Sequence, residues 1–347
     1  MIEQEESLTP KKRNYWFYVP SLIILGLGAY ILLPQIASLE NSWTVVKEMT
    51  WWALLLAALM EILSWVGNGV VIWAILANKD HKLSIGHGSL IALGTLSLTM
   101  VAGGGVGLAA MIGWIRRETH DSHIAVLAGT LPSLLNNGVL FAVSLVGTGY
   151  LLIINALSKR QVFEFILALL ILGALTGSVL LALNSKMLAL KLMLWFNRQW
   201  AALRHKPFDP QATINLVDEF FLTFATLGNG GWIRPLIGAV MNIGFDMAAF
   251  YFLFLAAGYP IRLGDLVAGY GFPLAMGKLA FFFPGGVGVV EVSMLAVLNR
   301  LAVPSAIGVV VIMGYRLFSM WLPTIFGFAA AAFLSGRLFR KAKKQFK

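Results

Sequence analysis

The feature that most constrains this 347-residue chain is a series of long apolar stretches that contain almost no charged residues. After Arg13 no Asp, Glu, Lys or Arg occurs until Glu40, and the stretch 51–77 contains only Glu61. The hydrocarbon core of a bilayer is about 30 Å thick, and an α-helix needs about 20 residues to cross it. We therefore predict an all-α polytopic membrane protein.

The composition agrees with a chain that folds in lipid. Hydrophobic residues make up 59% of the sequence and charged residues 12%, which does not fit a soluble domain. Lys and Arg exceed Asp and Glu by 26 to 16. Because this positive charge lies between the apolar stretches and at the chain ends, it indicates binding to anionic phospholipid and not to nucleic acid.

The residue types also exclude several kinds of chemistry. The chain has no cysteine, which excludes thiolate zinc sites, iron–sulfur clusters and cysteine nucleophiles. Its five histidines lack the H-x-x-x-H spacing that zinc sites use, and no D-x-D motif occurs. We therefore predict a protein without metal or cofactor, and not an enzyme.

Two halves of the sequence resemble each other. The segment 104–107 matches 285–288, since both read Gly-Gly-Val-Gly, and the same offset aligns 58–61 with 239–242. We predict two homologous, inverted repeats at 51–154 and 232–334. Duplicated halves with glycine-broken short segments at matching places indicate a transport site.

Each half contains a short apolar segment that leads into its glycine-rich break. If each segment enters and leaves by the same face, the chain has six full crossings and two re-entrant hairpins. If both segments cross fully, it has about eight transmembrane helices. The second alternative would place the basic segment 186–206 outside, against the positive-inside rule, so the re-entrant arrangement is favoured.

Charge orients this arrangement in the membrane. The segments 11–13, 186–206 and 337–347 are rich in Lys and Arg, which places them and both termini on the cytoplasmic side of the cell (inner) membrane. The predicted organisation is a basic N-terminus (1–14), a first transmembrane helix (15–36), repeat 1 (51–154), a connecting transmembrane helix (162–184), an interfacial amphipathic helix (186–210), repeat 2 (232–334) and a basic tail (337–347).

The residues Phe283-Pro-Gly-Gly-Val-Gly-Val-Val-Glu291 precede a final long apolar stretch. This pattern resembles the lysylphosphatidylglycerol synthase transmembrane region family, and the resemblance extends over about residues 15–334. It implies a flippase-like membrane domain. In bifunctional members this domain moves aminoacylated phosphatidylglycerol outward, whereas a separate cytosolic domain makes the lipid.

No segment of this sequence resembles that synthase domain, so the resemblance implies transport or an accessory role. Stand-alone members are linked with hopanoid, glycolipid and polysaccharide pathways, which leaves the lipid headgroup open. Direction, energy source and oligomeric state are equally open.

The second break is the first candidate for a binding site. Pro284 prevents continuation of a helix, and Gly285, Gly286 and Gly288 allow positive φ and a close approach of the backbone. Amides of such a break can bind a lipid phosphate at the start of the following helix. The alternative is tight packing of helices through small residues.

Charged residues within the apolar stretches complete the candidate site. Such residues are costly in lipid unless they are paired or hydrated, so we expect them to cluster. They are Glu61, Asp246, Lys278, Glu291 and Arg316. The two cations are candidates for binding a phosphate, whereas the acids would balance them, contact a cationic headgroup or carry a proton; purely structural ion pairs are the alternative.

Repeat 1 contains a counterpart of this site without its proline and carboxylate. Its residues are Gly103, Gly104, Gly105, Gly107 and Arg116. We therefore predict a flippase-like transporter that moves, or helps to move, a polar phospho- or glycolipid across the membrane. The alternatives are a membrane-embedded lipid-linked transferase and a non-transporting accessory subunit that works with a biosynthetic partner enzyme.

Overall fold

A computed structural model describes residues 39–154, 185–203, 208–225, 231–279 and 284–345, together with residues 167 and 170. Within these ranges every regular element is a helix, which confirms the all-α prediction for this part of the chain. The predicted first transmembrane helix (15–36) and nearly all of the connecting helix (162–184) lie outside the described residues.

The described helices are numbered here in chain order. They are α1 (Leu39–Glu48), α2 (Trp51–Ala77), α3 (Ile85–Ala102), α4 (Gly104–Thr119), α5 (Ser122–Ile153), α6 (Lys186–Leu203), α7 (Pro210–Ala225), α8 (Ile233–Ala256), α9 (Leu263–Leu279), α10 (Val289–Arg300), α11 (Ser305–Arg316) and α12 (Leu322–Gln345). A short 3₁₀ turn (Pro284–Gly286) precedes α10, and a π-helical turn (Leu317–Trp321) joins α11 to α12.

The protein is a multi-pass membrane protein. Among the described residues, five helical stretches are long and apolar enough to cross a bilayer: α2, α3, α5, α8 and the continuous stretch Ser305–Gly336. The helix α3 has 18 residues, so its length alone does not decide between crossing and re-entry. The number of crossings and the repeat relationship remain predictions.

Among the described helices, α2 and α8 make the most extensive contact, and they run antiparallel. At one end, the N–H of Thr50 donates to the carbonyl of Ala256 at 2.9 Å. At the other end, Nδ2 of Asn78 donates to the carbonyl of Gly231 at 3.0 Å. We call the first the Thr50 end of the bundle. We call the second the Asp121 end, because Asp121, which caps α5, lies there with its Oδ2 3.7 Å from Nε2 of His81.

Helices α3 and α4 form a hairpin, and α9 and α10 form another. The outer ends of α3 and α4 lie at the Asp121 end, where His87 Nε2 is 3.8 Å from Glu118 Oε1. The outer end of α9 lies at the Thr50 end, because the hydroxyl of Tyr150, near the end of α5, donates to Asp265 at 2.9 Å. The two hairpins therefore extend from opposite ends of the bundle.

The glycine break of the second hairpin lies against the last turn of α3. A Cβ atom added to Gly285 would lie 2.8 Å from Cε of Met100 and 2.9 Å from Sδ of Met320. Met100 belongs to the last turn of α3, and Met320 to the π-helical turn. The glycine break of the second hairpin therefore packs against the end of the first.

Glycines allow α2 and α8 to approach each other closely. A Cβ atom at Gly67 would lie 2.6 Å from the backbone nitrogen of Asn242, and one at Gly238 would lie 2.7 Å from that of Val71. Because the backbones are so close, Nδ2 of Asn242 reaches Oγ of Ser64 at 2.8 Å. This contact fixes the register that places Glu61 beside Asp246, and both belong to the candidate site.

The predicted amphipathic segment begins as a helix at Lys186, and α6 continues to Leu203. Its apolar residues Met187, Leu192 and Trp195 are exposed, whereas Asn197 bonds to Thr213 of α7 at 3.0 Å. A position in the membrane interface remains a prediction for α6. The sequence analysis did not anticipate α1 or α7.

Candidate functional site

The ionisable residues from the apolar stretches converge near the middle of the bundle. Glu61 lies ten residues, or about 15 Å of helix, from Trp51 at the start of α2. Asp246 lies the same distance from Ala256 at the end of α8. An ionised side chain at such a depth costs several kcal/mol unless it is paired or hydrated.

The most buried charged pair joins the second hairpin to the last membrane helix. Arg316 Nε donates to Glu291 Oε1 at 2.6 Å, and the two side chains are only 7% and 4% exposed. Arg316 Nη2 also donates to the carbonyl of Gly285 at 2.8 Å and lies 2.9 Å from Sδ of Met320. Arg316 therefore holds the break in place through both a carboxylate and a backbone carbonyl.

The glycine break presents Glu291 to this guanidinium. Gly285, Gly286 and Gly288 have φ values of 65°, 64° and 85°, which non-glycine residues rarely adopt. Pro284 starts the break, and α10 begins directly after Gly288. Oε2 of Glu291 then accepts the N–H of Gly288 at 2.6 Å, as expected for an acid in the first turn of a helix.

That hydrogen bond changes the interpretation of the predicted anion site. The sequence assigned the amides of the break to a lipid phosphate. In the structure, the carboxylate of Glu291 occupies the position between the N–H of Gly288 and the guanidinium of Arg316. The chain therefore supplies its own anion to this site.

Asp246 and Glu61 form a second acidic group beside the ion pair. Tyr270 and Tyr315 donate their hydroxyls to Oδ2 of Asp246 at 2.6 and 2.8 Å. Nε1 of Trp65 donates to Oε1 of Glu61 at 3.0 Å. The two carboxyl groups interact with each other, yet Oδ1 of Asp246 and Oε2 of Glu61 receive no donor within the described structure.

Lys278 is the exposed member of the cluster. Its side chain lies in the last turn of α9, and its ammonium is within electrostatic range of Asp246 and Arg316. Glu61, Glu291 and Arg316 are buried. A ligand that approaches the cluster therefore meets Lys278 before the buried charges.

The first hairpin has a simpler tip. Gly103, with φ of 88°, separates α3 from α4, and Gly104 and Gly105 already belong to the first turn of α4. The whole stretch 101–106 is exposed and uncharged, whereas Gly107 is buried. Arg116 lies in the last turn of α4, toward the Asp121 end. The structure therefore does not bring Arg116 to the tip.

The structure brings together four of the predicted charged residues, Glu61, Asp246, Glu291 and Arg316. Glu61 interacts with Asp246, and Glu291 bonds to Arg316. Tyr315 connects the two pairs, because it bonds to Asp246 and directly precedes Arg316 in α11. The sequence analysis missed Tyr270, Tyr315 and Trp65. Tyrosine and tryptophan usually mark the membrane–water interface, so a tyrosine near the middle of an apolar stretch was a usable signal for the first two. Trp65 follows Glu61 by four residues, one helical turn on the same face.

Within the described ranges, no group of three or more His, Asp or Glu side chains has the arrangement of a metal site. His81, His120 and His123 lie at or near the Asp121 end, with Nε2 of His81 3.7 Å from Oδ2 of Asp121. His205 lies outside the described residues.

Comparison with known proteins gives two matches. The sequence profile of the lysylphosphatidylglycerol synthase TM region matches residues 21–327. The chain is also similar to the UPF0104 membrane protein MJ1595 of Methanocaldococcus jannaschii, with 24% identity over 182 residues, or 52% of this chain and 54% of that protein. The aligned region thus spans about half the length of this curated relative.

Proposed function

Because the chain belongs to the lysylphosphatidylglycerol synthase TM region family, we propose that it moves a polar lipid across the membrane. The observation that carries this proposal is the Glu291–Arg316 ion pair, held at 2.6 Å beside the contact between Gly285 and the last turn of α3. Intramembrane charge marks a substrate path more often than it stabilises a fold. A purely structural bundle would gain as much stability from apolar packing at that position.

The two hairpins supply the path in this proposal. They start from opposite ends of the bundle and meet at Gly285 and Met100. We propose that both are re-entrant, so that together with the segments 15–36 and 162–184 the chain makes six full crossings. Broken backbone inside a membrane is tolerated where it is buried in protein or lines a wet cavity, and substrate sites form there.

The distribution of charge supports one orientation of this arrangement. The Asp121 end carries Lys79, Lys82, Arg116, Arg117 and Arg234. The Thr50 end carries Lys47, Arg262 and Arg300. By the positive-inside rule, the Asp121 end is cytoplasmic, which is also the side proposed for 186–206 and both termini.

The chain has no cysteine, so single-cysteine labelling tests this orientation directly. An Arg198→Cys variant should resist an impermeant reagent in intact cells and react after lysis.

The headgroup phosphate would contact the cations of the cluster in two stages. Lys278 is exposed and offers the first contact. Arg316 is already bound to Glu291, so a phosphate must compete with that carboxylate for the guanidinium. A phosphate, like a carboxylate, offers two oxygens to the parallel N–H donors of a guanidinium, so it can replace Glu291 at Arg316. Release of Glu291 would also free the N–H of Gly288 and loosen the break.

Reconstitution tests this function. Liposomes that contain phosphatidylglycerol with a fluorophore on its headgroup are treated with an impermeant reductant, which bleaches only the outer leaflet. We expect bleaching to exceed the outer-leaflet fraction when the protein is present and to stop at about half without it. Bleaching that stops at half with correctly folded protein would contradict the proposal. A donor-dependent change in lipid mass would instead indicate the transferase.

A further inference from the structure

The contact between Glu61 and Asp246 raises a question of charge. Each carboxyl group has one oxygen satisfied, Glu61 by Trp65 and Asp246 by two tyrosines. The other oxygens, Oε2 of Glu61 and Oδ1 of Asp246, have no donor from the described residues, and the two groups touch. Two ionised carboxylates in contact at membrane depth would repel each other without compensation.

One proton resolves this arrangement. A proton on one carboxyl group turns an acceptor into a donor, so one group can donate a hydrogen bond to the other. Asp246 accepts two tyrosine hydroxyls, which favour its ionised form, whereas Glu61 accepts only one indole N–H. The geometry therefore places the proton on Glu61.

The charges around Glu61 and Asp246 agree with one bound proton. Arg316 lies within electrostatic range of Asp246, and Lys278 lies within range of Asp246 and Arg316. With one proton on Glu61, the carboxylates of Asp246 and Glu291 balance the cations of Arg316 and Lys278. The cluster of ionisable groups is then neutral, which is the least costly state at that depth.

Among the described helices, the neighbours of the pair contribute no other charge to it. The groups that face it are Tyr270 and Lys278 from α9, Tyr315 and Arg316 from α11, and Glu291 from α10 through Arg316. In the described structure, α3 and α5 also pack against α2, but no titratable side chain of either interacts with Glu61 or Asp246.

We infer that Glu61 and Asp246 form a proton-binding site, and that binding and release of this proton are coupled to lipid movement. The coupling rests on the proposed function, whereas the proton site itself does not. When a lipid phosphate binds Arg316 or Lys278, it adds negative charge to a neutral cluster, and retention of the proton limits that cost. When the lipid leaves, the added retention is lost, and the proton on Glu61 can exchange with water. A Ca²⁺ or Mg²⁺ ion fits less well, because such ions need six or more oxygen ligands and only two acceptors are open.

The proton site is tested by infrared difference spectroscopy of the full chain in liposomes at pH 7.5. We expect a C=O stretching band of a protonated carboxyl group that shifts in D₂O, because exposed acids are ionised at this pH. The band should be lost in Glu61→Gln, which keeps the shape of the side chain and its ability to donate to Asp246. The band should be unchanged in the control Glu118→Gln, because Glu118 is an exposed acid at the Asp121 end. Absence of the band in the wild-type protein, or its persistence in Glu61→Gln, would contradict the proton site on Glu61. The wild-type spectrum tests this site even if the variant does not fold.

The coupling is tested with the same liposomes and the headgroup-labelled lipid under a pH gradient. For one proton per lipid, a gradient of one pH unit shifts the leaflet ratio by up to about tenfold at equilibrium. Glu61→Gln should make the ratio independent of the gradient. A wild-type ratio that follows a Na⁺ gradient and ignores the pH gradient overturns the inference but leaves the proposed function intact. A carboxyl band without any lipid movement supports the proton site and contradicts the proposed function.

Discussion

The two hairpins share a backbone plan but differ at their tips. The tip between α3 and α4 is the single residue Gly103, within an exposed and uncharged stretch. The tip between α9 and α10 extends from Pro284 to Gly288, and its backbone is bound by a buried guanidinium. A shared plan therefore does not imply shared chemistry. The expected consequence is that substitutions in the second tip abolish transport, whereas matched substitutions in the first affect mainly stability.

The largest effect is expected at the ion pair of the second tip. Glu291→Ala leaves the guanidinium of Arg316 buried without its carboxylate, at a cost of about 3–5 kcal/mol of folding free energy. Glu291→Gln keeps the shape of the side chain and an oxygen that accepts from Gly288. We expect Glu291→Gln and Arg316→Gln each to reach the membrane near wild-type levels and to lose lipid movement in the liposome assay. Full activity of the well-expressed double variant would mean that the pair is only structural.

The sequence predicts part of this site because burial of charge follows a simple rule. Glu61, Asp246, Glu291 and Arg316 stand out in apolar stretches, and the cost of isolated charge in lipid predicts that they cluster. The partner of each charge does not follow from this rule. The pairing of Arg316 with Glu291, and not with Asp246, depends on where the break ends and on the π-helical turn after Arg316.

The sequence indicates that the two glycine breaks differ in chemistry, but it does not predict that their backbones differ in conformation. Both read Gly-Gly-Val-Gly, yet in the first copy these residues lie within the first turns of α4, and in the second copy three of them have positive φ. The two copies also differ in the preceding residue, which is Gly103 in the first and Pro284 in the second. The all-α membrane fold was predictable from apolar length alone, whereas α7 was not, because tertiary contacts stabilise such a helix.

The second prediction compares a glycine from each tip. Gly285→Ala introduces a Cβ close to Met100 and Met320 and strains a residue with φ of 65°. The carbonyl of Gly285 that binds Arg316 would move, and we expect transport to fall at least about tenfold, equivalent to 1.4 kcal/mol. Gly103→Ala meets no atom within 4 Å, so only its backbone strain of about 1–3 kcal/mol remains. We expect Gly103→Ala to melt at a lower temperature but to retain its transport rate per folded molecule. Equal loss of transport in both variants would remove the distinction between the tips.

The third prediction concerns the exposed cation of the second hairpin. Lys278→Gln removes one of the two cations that balance the carboxylates of the cluster, but at an exposed position, so we expect the variant to fold and to reach the membrane. If Lys278 makes the first contact with a lipid phosphate, the half-saturating concentration of an anionic lipid should rise by roughly tenfold, as for loss of one charge-assisted hydrogen bond. Lys278→Arg should restore it, whereas a neutral lipid should show little change. Lys82→Gln at the Asp121 end is the matched control. An unchanged dependence on lipid charge would place the first contact elsewhere.

The smallest effect is expected at Arg116, the repeat 1 counterpart of the charged site. Arg116 is exposed in the last turn of α4, twelve residues from Gly104, which corresponds to about 18 Å of helix. A cation at that distance from the tip cannot touch a headgroup bound at Arg316, and at a helix C-terminus it stabilises the macrodipole by about 0.3–1 kcal/mol. We therefore expect Arg116→Gln to lower the melting temperature slightly and to change the transport rate by less than about twofold, within 0.5 kcal/mol. Arg316→Gln, measured in parallel, provides the contrast. A loss of transport in Arg116→Gln that matches the loss in Arg316→Gln would show that both hairpins carry substrate contacts, one of them at the Asp121 end.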